Sequence, residues 1–377
     1  MLKRMCIEDG MFKLRAWYVH RGVRLAAGPA ANPYSQKKTY EGALIIKDEV
    51  MVNAEYTLDR IKKIAIVGGG LMGHGVAQFF AQGGYPVAMY NRTEESSARA
   101  MADLKRGLML FVKEGLSTQA EADAALARIR PVVDLAEAVH EADFITEAVV
   151  DDLALKQKIF KEMDALAPAN AILTSETSGL RMTDISRDTA RPERCVSTHN
   201  YTPPSLMPVV EVVPGERTAP EVLETTCALL RKVGKEPVIC SEIPGHIGVR
   251  LTTALRREVS YIIEQGWATP EAVDTVMRSV GRLFPVMGIC ILTDFTGLDM
   301  SDHSQKNVLP HLDSKTEGSD LIRRMVAEGK LGVKSGEGFY QWTPESARAI
   351  YEARGRELLR WMKQPPLPAP WKSGEEE

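Results

Sequence analysis

The chain has 377 residues, of which 44% are hydrophobic and 26% are charged. At roughly 150 residues per domain the length corresponds to about two to three domains, and the composition excludes a disordered polymer, a collagen and a coiled-coil rod. Lys and Arg number 47 against 50 for Asp and Glu, and the resulting formal charge of −3 indicates neither a nucleic-acid nor a membrane-surface partner.

Residues 1–57 form the least regular part of the sequence, and we predict a poorly ordered N-terminal extension there. Before residue 40, basic side chains far outnumber the acidic Glu8 and Asp9, and hydrophobic periodicity is weak. These two acids argue against a mitochondrial presequence, and no hydrophobic segment of a signal peptide follows the basic start. Because Met51 lies just ahead of the first clear domain signal, our hypothesis is that residues 1–50 are dispensable.

The five cysteines are dispersed, with no CxxC pair and no other spacing typical of metal ligands. An odd, scattered set is typical of reduced thiols in a reducing compartment. No apolar run reaches the roughly 18 residues that a membrane span requires. We therefore expect a cytoplasmic protein with no metal site and no membrane partner.

Strands alternate with helices from residue 61 to about residue 242. Short apolar runs predict strands over 61–67, 87–90, 144–149, 171–174, 195–199 and 209–213. A helix starts in the glycine turn after the first strand, residues 94–130 are typical of helices, and 155–166 predict another helix. This alternation predicts an α/β domain over 58–242, with a doubly wound, mostly parallel sheet of the Rossmann type.

The strand patterns stop near Pro244, and helical patterns follow. Leu251, Leu255 and Val259 recur at helical spacing, and helices and loops continue to about residue 332. We predict an all-helical domain over 243–342, whose apolar surface is suited to a dimer interface. Over 343–377 we predict a helix capped by Thr343 and then a frayed acidic tail. One face of that helix carries the apolar side chains Ala347, Ile350, Tyr351, Leu358 and Trp361.

The first strand runs into a glycine motif, Gly68-x-Gly70-x-x-Gly73, which also opens a helix. In this context the motif predicts dinucleotide binding. Gly68 permits a tight turn, Gly70 lets the backbone approach a pyrophosphate, and Gly73 allows close packing of helix on strand. Leu71 and Met72 lie in the same turn, where backbone N–H groups at the helix start face the phosphates.

The end of the second strand distinguishes NAD from NADP. An acidic residue there binds the ribose 2′-hydroxyl, whereas an Arg accommodates a 2′-phosphate. Asn91 stands where the acid is expected, and Arg92 and Thr93 follow it with a guanidinium and a hydroxyl. We therefore predict an NAD(P) site that favours NADP(H) over NAD, the alternative being that Arg92 is an ordinary solvated residue.

Polar side chains cluster where later strands end. His199 closes one strand, and Glu211 interrupts the apolar strand that follows it. A lone carboxylate in such a run needs a partner, because burial of an unpaired charge is costly. His199 is the obvious candidate, and a His–Glu pair makes a general base. Each residue alone is more simply structural, but their joint placement at strand ends favours a site.

These motifs resemble the 3-hydroxyacyl-CoA dehydrogenase family, from about residue 61 to residue 342. The resemblance is carried by seven ordered segments: 67–75, 175–180, 199–204, 206–213, 244–247, 297–299 and 332–340. It implies an N-terminal Rossmann domain and a helical C-terminal domain through which two copies form a homodimer. By resemblance, His199 removes the hydroxyl proton, Glu211 orients His199, Ser178 hydrogen-bonds the substrate oxygen, and Glu147 lines the cofactor site.

Two positions depart from the family pattern. Val249 stands where the family carries an Asn that polarises the substrate carbonyl, and Thr202 replaces an Asn before the proline. The loss of one such donor costs a few kcal/mol of transition-state stabilisation. Either another donor substitutes, with Asn200, Thr202 and His246 as candidates, or the substrate differs, or the activity is weak.

Several functions therefore stay open. The substrate is a 3-hydroxyacyl-CoA or a smaller hydroxy acid or alcohol, since the helix after Trp342 resembles a non-CoA branch that includes a dehydrogenase of pyridoxine breakdown. A second interpretation is a dehydrogenase of the 3-hydroxyisobutyrate/6-phosphogluconate type. Such enzymes use a catalytic Lys on the helix between the domains, and this sequence has no Lys between Pro244 and Lys306. A third is a cofactor-binding protein that has lost catalysis, as Val249 permits.

Overall fold

The computed structural model of the protein describes residues 56–363. The predicted extension, apart from Tyr56 and Thr57, lies outside the described residues, as does the hypothesis on residues 1–50. The predicted frayed tail lies outside them as well. Tyr56 is buried, and its carbonyl accepts a hydrogen bond from the Thr225 hydroxyl at 3.0 Å, so the described fold begins at this residue.

A single sheet of eight strands forms the centre of the N-terminal half. Its strands are β1 Ile64–Val67, β2 Val87–Tyr90, β3 Ile129–Val132, β4 Phe144–Glu147, β5 Ile172–Ser175, β6 Cys195–Asn200, β7 Val209–Pro214 and β8 Glu236–Ile239. The spatial order is β3-β2-β1-β4-β5-β6-β7-β8. Neighbouring strands are parallel except β6 and β7, whose antiparallel register places His199 opposite Glu211. The mostly parallel sheet predicted from the sequence is confirmed.

Helices cover both faces of this sheet and build the C-terminal half. They are α1 Gly73–Gln82, α2 Glu94–Lys113, α3 Gln119–Ala127, α4 Leu135–Val139, α5 Leu153–Leu166, α6 Met182–Ile185, α7 Pro220–Lys232, α8 Ile247–Glu264, α9 Pro270–Val280, α10 Leu283–Thr296, α11 Leu298–Val308, α12 Asp320–Ala327 and α13 Pro344–Met362. Alternate residues of β1 enter two different apolar clusters: Ile64 and Ile66 pack with α1, α2, α3 and α7, and Ala65 and Val67 with α4, α5 and α6. The sheet is therefore doubly wound.

The helical interpretation of residues 94–130 is wrong at its C-terminal end. Two helices with capping boxes are present, but Ile129 and Arg130 belong to β3. The sequence analysis also did not predict β8. These two strands are the edges of the sheet, and each contains a proline, Pro131 or Pro237. Proline lacks a ladder donor and is tolerated at edges, so it weakens the strand pattern there.

The segment α8–α12 is helical, as predicted, and its apolar side chains are largely exposed. None of the residues of α9, α10, α11 or α12 is buried, and Phe295 is 80% exposed. Within residues 56–363, no single helix has both the length and the apolar composition to cross a membrane. The helices α9 and α10 reach the required length and apolar composition only when taken together, and the angle between them is 74°. This open arrangement leaves a large apolar surface without a cover from the described chain.

The last helix, α13, packs back on the N-terminal half of the protein. The side chain of Leu359 is 1% exposed and lies in a cluster with Phe111 of α2 and Leu206 of the β6–β7 loop. The buried positions of α13 are Ala347, Gly355 and Leu359. Of the face predicted from sequence, Ile350 and Tyr351 are exposed, because the helix makes contact through a narrower strip than its apolar pattern implies.

Candidate active site

The turn after β1 requires glycine at two positions. Gly68 has a φ of +107°, and a Cβ there would lie 2.9 Å from the carbonyl oxygen of Ala148. A Cβ on Gly73 would lie 1.8 Å from the carbonyl oxygen of Gly68. Around Gly70, in contrast, nothing lies within 4 Å of an added Cβ. The backbone at Gly70 is therefore open to a ligand, as the glycine motif predicts.

The helix that follows this turn begins without a side-chain cap. Met72 occupies the N-cap position and makes no capping hydrogen bond, and Leu71 beside it is exposed. The His74 N–H donates to the Gly70 carbonyl at 3.3 Å, and the partial positive charge of the helix start lies at the glycine turn. An uncapped helix terminus of this kind accommodates a phosphate group.

Asn91 lies at the end of β2, beside the glycine turn. Its Oδ1 accepts a hydrogen bond from the Gly69 backbone at 3.0 Å, while its buried Nδ2 has no partner among the described residues. Arg92 is exposed, and Thr93 uses its hydroxyl to cap α2 through Ser96, so Thr93 is not free to hold a phosphate. The unpartnered amide, together with the open glycine turn, fits the ribose and pyrophosphate of a dinucleotide.

Glu147 ends β4 in register with Val67, so it also lies at the glycine turn. Its carboxylate is fully buried and accepts hydrogen bonds from Lys156 at 2.7 Å, the Ser175 hydroxyl at 2.7 Å and the Val149 backbone at 2.6 Å. Glu147 therefore supports this edge of the sheet from within. The sequence analysis missed Lys156, although a lysine on the apolar face of α5 is a signal for a buried ion pair.

His199 and Glu211 face each other across β6 and β7. Nδ1 of His199 lies 2.8 Å from Oε2 of Glu211, and both side chains are buried. The Tyr201 hydroxyl donates to the same oxygen at 2.8 Å, and the Gly248 backbone N–H donates to Oε1 at 2.9 Å. Burial opposes the charge on Glu211, but the three hydrogen bonds outweigh it and hold the pKa of this carboxyl below its ordinary value.

Ser178 lies just beyond β5, with its side chain bound to an acid. Its hydroxyl donates to Oδ2 of Asp151 at 2.6 Å, and its backbone N–H donates to the same oxygen at 2.9 Å. Asp151 also lies 3.4 Å from the Lys156 ammonium. Burial disfavours the charge of Asp151, but the Ser178 bonds and Lys156 keep its pKa below the ordinary value. The sequence analysis did not single out Asp151.

The three candidates for the missing donor at Val249 have different surroundings. Asn200 donates its amide to Glu176 at 2.7 Å, and the Thr202 hydroxyl lies 3.2 Å from the Met72 sulfur. His246, which is 1% exposed at the start of α8, has its ring centroid 5.3 Å from that of His199. Its Nε2 lies 3.1 Å from the Thr177 carbonyl oxygen, and its Nδ1 has no partner among residues 56–363.

Two further buried titratable groups border this region. Burial raises the pKa of the Glu176 carboxyl to about 8, against the opposing effect of its hydrogen bonds from Asn200. Burial lowers the pKa of the Lys235 ammonium to about 8, and this group donates to the carbonyls of Pro204 and Met207 in the β6–β7 loop. In the described part of the chain no group of three or more His, Cys, Asp or Glu side chains is arranged to hold a metal ion.

Two family models match almost the whole described chain. Residues 63–243 match the 3-hydroxyacyl-CoA dehydrogenase NAD binding domain, and residues 245–342 match the C-terminal domain of the same family. The helix α13 lies beyond these matches.

Individual proteins give the same result. A probable 3-hydroxybutyryl-CoA dehydrogenase of Bacillus subtilis is 36% identical over 288 residues, which cover 76% of this chain and 99% of the relative. A 5-formyl-3-hydroxy-2-methylpyridine 4-carboxylate 5-dehydrogenase of Mesorhizobium japonicum is 32% identical over 301 residues, 79% of this chain and 96% of the relative. A crystal structure of an enzyme of that name, described as an NAD⁺-dependent dismutase, has a TM-score of 0.75 at 30% identity and covers 80% of this chain and 98% of its own. The chain therefore belongs to the 3-hydroxyacyl-CoA dehydrogenase family of NAD-dependent oxidoreductases acting on CH–OH groups.

Proposed function

We propose that this protein oxidises an alcohol substrate by hydride transfer, with His199 and Glu211 as its general-base pair. The observation that carries the proposal is the 2.8 Å contact between Nδ1 of His199 and Oε2 of Glu211, at the edge of the sheet where the glycine turn opens. Because Glu211 holds Nδ1, the other ring nitrogen of His199 is the one that takes the hydroxyl proton. The negative charge of Glu211 then stabilises the imidazolium that forms.

Ser178 completes the proposed catalytic set by binding the substrate oxygen through Oγ. The dinucleotide is held by the backbone of Gly68, Gly70, Leu71, Met72 and Gly73, by the Asn91 amide, and by a sheet edge that Glu147 supports. When bound, the nicotinamide ring supplies the acceptor for the hydride. The protein residues bind and orient both molecules and move the proton.

The proposal favours NADP(H) over NAD. Support comes from the absence of an acid at position 91, where the neutral Asn91 side chain does not repel a 2′-phosphate, and from the exposed Arg92 guanidinium next to it. An Arg at this place can pair with a 2′-phosphate. NAD is the alternative, because the matched family model is an NAD binding domain. The ratio of kcat/KM for the two cofactors decides between them, and a strong preference for NAD overturns the NADP(H) assignment.

The substrate class has two candidates, a 3-hydroxyacyl-CoA and a small hydroxy acid or alcohol without CoA. Two observations favour the small substrate. Val249 replaces the family Asn, and α13, which lies outside the family match, packs through Leu359 on Leu206 of the loop that joins β6 to β7. Helix α13 therefore closes the side of this loop that a protein ending at residue 342 leaves open.

We also propose that two copies of the chain associate through the helical segment α8–α12. The exposed apolar side chains of α9–α12 need a cover that the described chain does not supply. The proposed division is 1–57, 58–242, 243–342 and 343–377. Sedimentation equilibrium of the full chain tests the homodimer, and a monomer at micromolar concentration contradicts it.

The decisive experiment follows NADH and NADPH formation with matched panels of 3-hydroxyacyl-CoAs, free 3-hydroxy acids and small alcohols. On any active substrate we expect His199→Ala to lower kcat/KM by about 10²–10⁴-fold, the usual contribution of a general base. His140→Ala, at an exposed histidine that follows α4, is the matched control. Unchanged turnover in His199→Ala contradicts the mechanism. Cofactor binding without turnover on every panel supports a protein that has lost catalysis.

A further inference from the structure

The carboxylate of Glu211 receives hydrogen bonds from both halves of the protein. Tyr201 of the β6–β7 loop and His199 of β6 share one oxygen, Oε2, at 2.8 Å each. Gly248 of α8 donates its backbone N–H to the other oxygen, Oε1. The rings of Tyr201 and His199 are also neighbours, with centroids 4.8 Å apart. The phenol therefore competes with the imidazole for the same acceptor.

The position of the phenol depends on a glycine in the opposite domain. A Cβ on Gly248 would lie 1.9 Å from the Tyr201 hydroxyl oxygen and 2.7 Å from its Cζ. These distances are far below any real contact, so a larger residue at 248 excludes the hydroxyl of Tyr201 from Glu211. Tyr201 and Gly248 thus form a matched pair, in which the missing side chain of one residue makes room for the polar group of the other.

We propose that Tyr201 is a positioning residue that acts through Glu211 to set the pH at which His199 works as a base. This inference rests on the proposed His199–Glu211 function. A carboxylate that shares its charge with a phenol donor stabilises a neighbouring imidazolium less strongly. The Tyr201 hydroxyl therefore weakens the hold of Glu211 on a protonated His199.

Of the other titratable groups around the pair, His246 and Cys240 are uncharged near neutral pH, whereas Asp151 is charged. His246 of α8 packs beside His199, and burial lowers the pKa of its imidazole. Cys240, which follows β8, lies near Glu211, and burial raises the pKa of its thiol to about 11. Asp151 acts on His246 from the β4–α5 loop and is bound by Ser178. The Tyr201 hydrogen bond is thus a direct influence on Glu211 that a single-atom substitution removes.

The test is Tyr201→Phe in the full chain, which keeps the ring and removes the hydroxyl. We plot kcat/KM against pH and expect the midpoint of the acid limb to move to higher pH by about 0.5–1 unit. This is the effect of a hydrogen bond worth ~1 kcal/mol. Below the limb, kcat/KM falls about 3–10-fold, whereas the plateau at high pH changes less than about twofold. Gly248→Ala displaces the same hydroxyl and should move the limb in the same direction. Tyr351→Phe, on the exposed side of α13, is the control.

A readout that needs no substrate separates this inference from the proposed function. NMR titration of the His199 ring proton, assigned by its loss in His199→Gln, should show the same upward displacement in Tyr201→Phe. An unchanged titration midpoint and an unchanged acid limb overturn the role of Tyr201, whatever the effect on thermal stability. If His199→Ala retains full turnover, the proposed function fails, whereas the NMR result still decides whether Tyr201 acts on His199.

Discussion

The hydroxyl of Ser178 donates its proton to Oδ2 of Asp151 over 2.6 Å. A serine hydroxyl has one proton and two lone pairs, so Oγ of Ser178 can only accept a hydrogen bond from a further partner. In the proposed mechanism the one hydroxyl proton of the alcohol goes to His199, so it is not available to Ser178. Ser178 can therefore hold the substrate oxygen only as a donor, after its hydroxyl has turned away from Asp151.

Substitution of Asp151 by Asn tests the competition between Asp151 and the substrate for the Ser178 proton. The amide of Asn can donate to Ser178 Oγ, which frees the serine proton for a carbonyl oxygen. We expect KM to fall about 5–10-fold for both the alcohol and the ketone, the value of one ordinary hydrogen bond, because both oxygens can accept the freed proton. Steady-state kinetics in both directions measure the change, with Asp188→Asn, at an exposed position, as the control. An unchanged KM for both forms of the substrate would argue against competition between Asp151 and the substrate for the Ser178 proton.

Glu176→Gln tests the buried carboxyl at the end of β5. Its pKa rises from 4.5 to about 8 in the folded protein, so the folded state holds a proton that the unfolded chain releases. The stability that this proton contributes is fully present below pH 4.5 and is lost as the pH rises through about 8, at about 1.4 kcal/mol per pKa unit. We expect Glu176→Gln to match the wild type in thermal unfolding at pH 5 and to exceed its Tm by several degrees at pH 8. A lower Tm at pH 8 contradicts the raised pKa.

Lys156→Met removes one partner of the buried ion pair with Glu147. Both side chains are 0% exposed, so the variant leaves an unpaired carboxylate in the interior. The expected loss is about 3–5 kcal/mol in the free energy of unfolding, measured by urea denaturation. Lys158→Met, on the exposed side of the same helix, should change stability by less than about 0.5 kcal/mol. Addition of Glu147→Gln to Lys156→Met should recover part of the loss.

Asn91→Asp tests the cofactor assignment. A carboxylate at this position repels a 2′-phosphate and accepts hydrogen bonds from ribose hydroxyls. We expect the ratio of kcat/KM for NADP to that for NAD to fall at least about tenfold, which corresponds to ~1.4 kcal/mol. Arg92→Ala should lower only the NADP value, and Arg99→Ala, an exposed arginine on α2, should change neither. Fluorescence titration of both reduced cofactors gives the same comparison without a substrate.

Leu359→Ala tests the contact of α13 with the β6–β7 loop. Leu359 is 1% exposed between Phe111 and Leu206, and its truncation should cost about 2–4 kcal/mol locally. If α13 excludes long substrates, this variant or a chain that ends at Trp342 should gain turnover on 3-hydroxyacyl-CoAs relative to free hydroxy acids. Ile350→Ala, on the exposed side of the same helix, is the control. No change in this ratio argues against a role of α13 in substrate choice.

Much of this arrangement is readable from local patterns. The apolar runs of the central strands are long enough to identify them, and the lone Glu211 in such a run points to a partner on the adjacent strand. The edge strands β3 and β8 are as long as β1, β2, β4 and β5, but their prolines and exposed positions make them resemble loops. The contacts of the final helix, α13, are also hard to predict from sequence. Apolar residues at helical spacing identify the helix, but they do not show which of them pack against another part of the protein.

The polar contacts of the site are harder to anticipate because they join distant elements. The Asp151–Ser178 bond depends on how the loop after β4 folds over the end of β5. The Tyr201–Glu211–Gly248 contact depends on both the antiparallel register of β6 and β7 and the docking of α8. Neither position has a periodicity or a motif of its own. Such contacts become visible only when the backbone is in place.

The hydrogen bond from Gly248 to Glu211 has a consequence for the way the protein matures. The acceptor belongs to the sheet, whereas the donor belongs to the first helix of the C-terminal half, which leaves the translation machinery later. A nascent or clipped chain that has formed only its sheet lacks one of the three hydrogen-bond donors to Glu211. We therefore expect such chains to be poor catalysts. Full activity then requires that the sheet and the C-terminal helices have both folded and packed together.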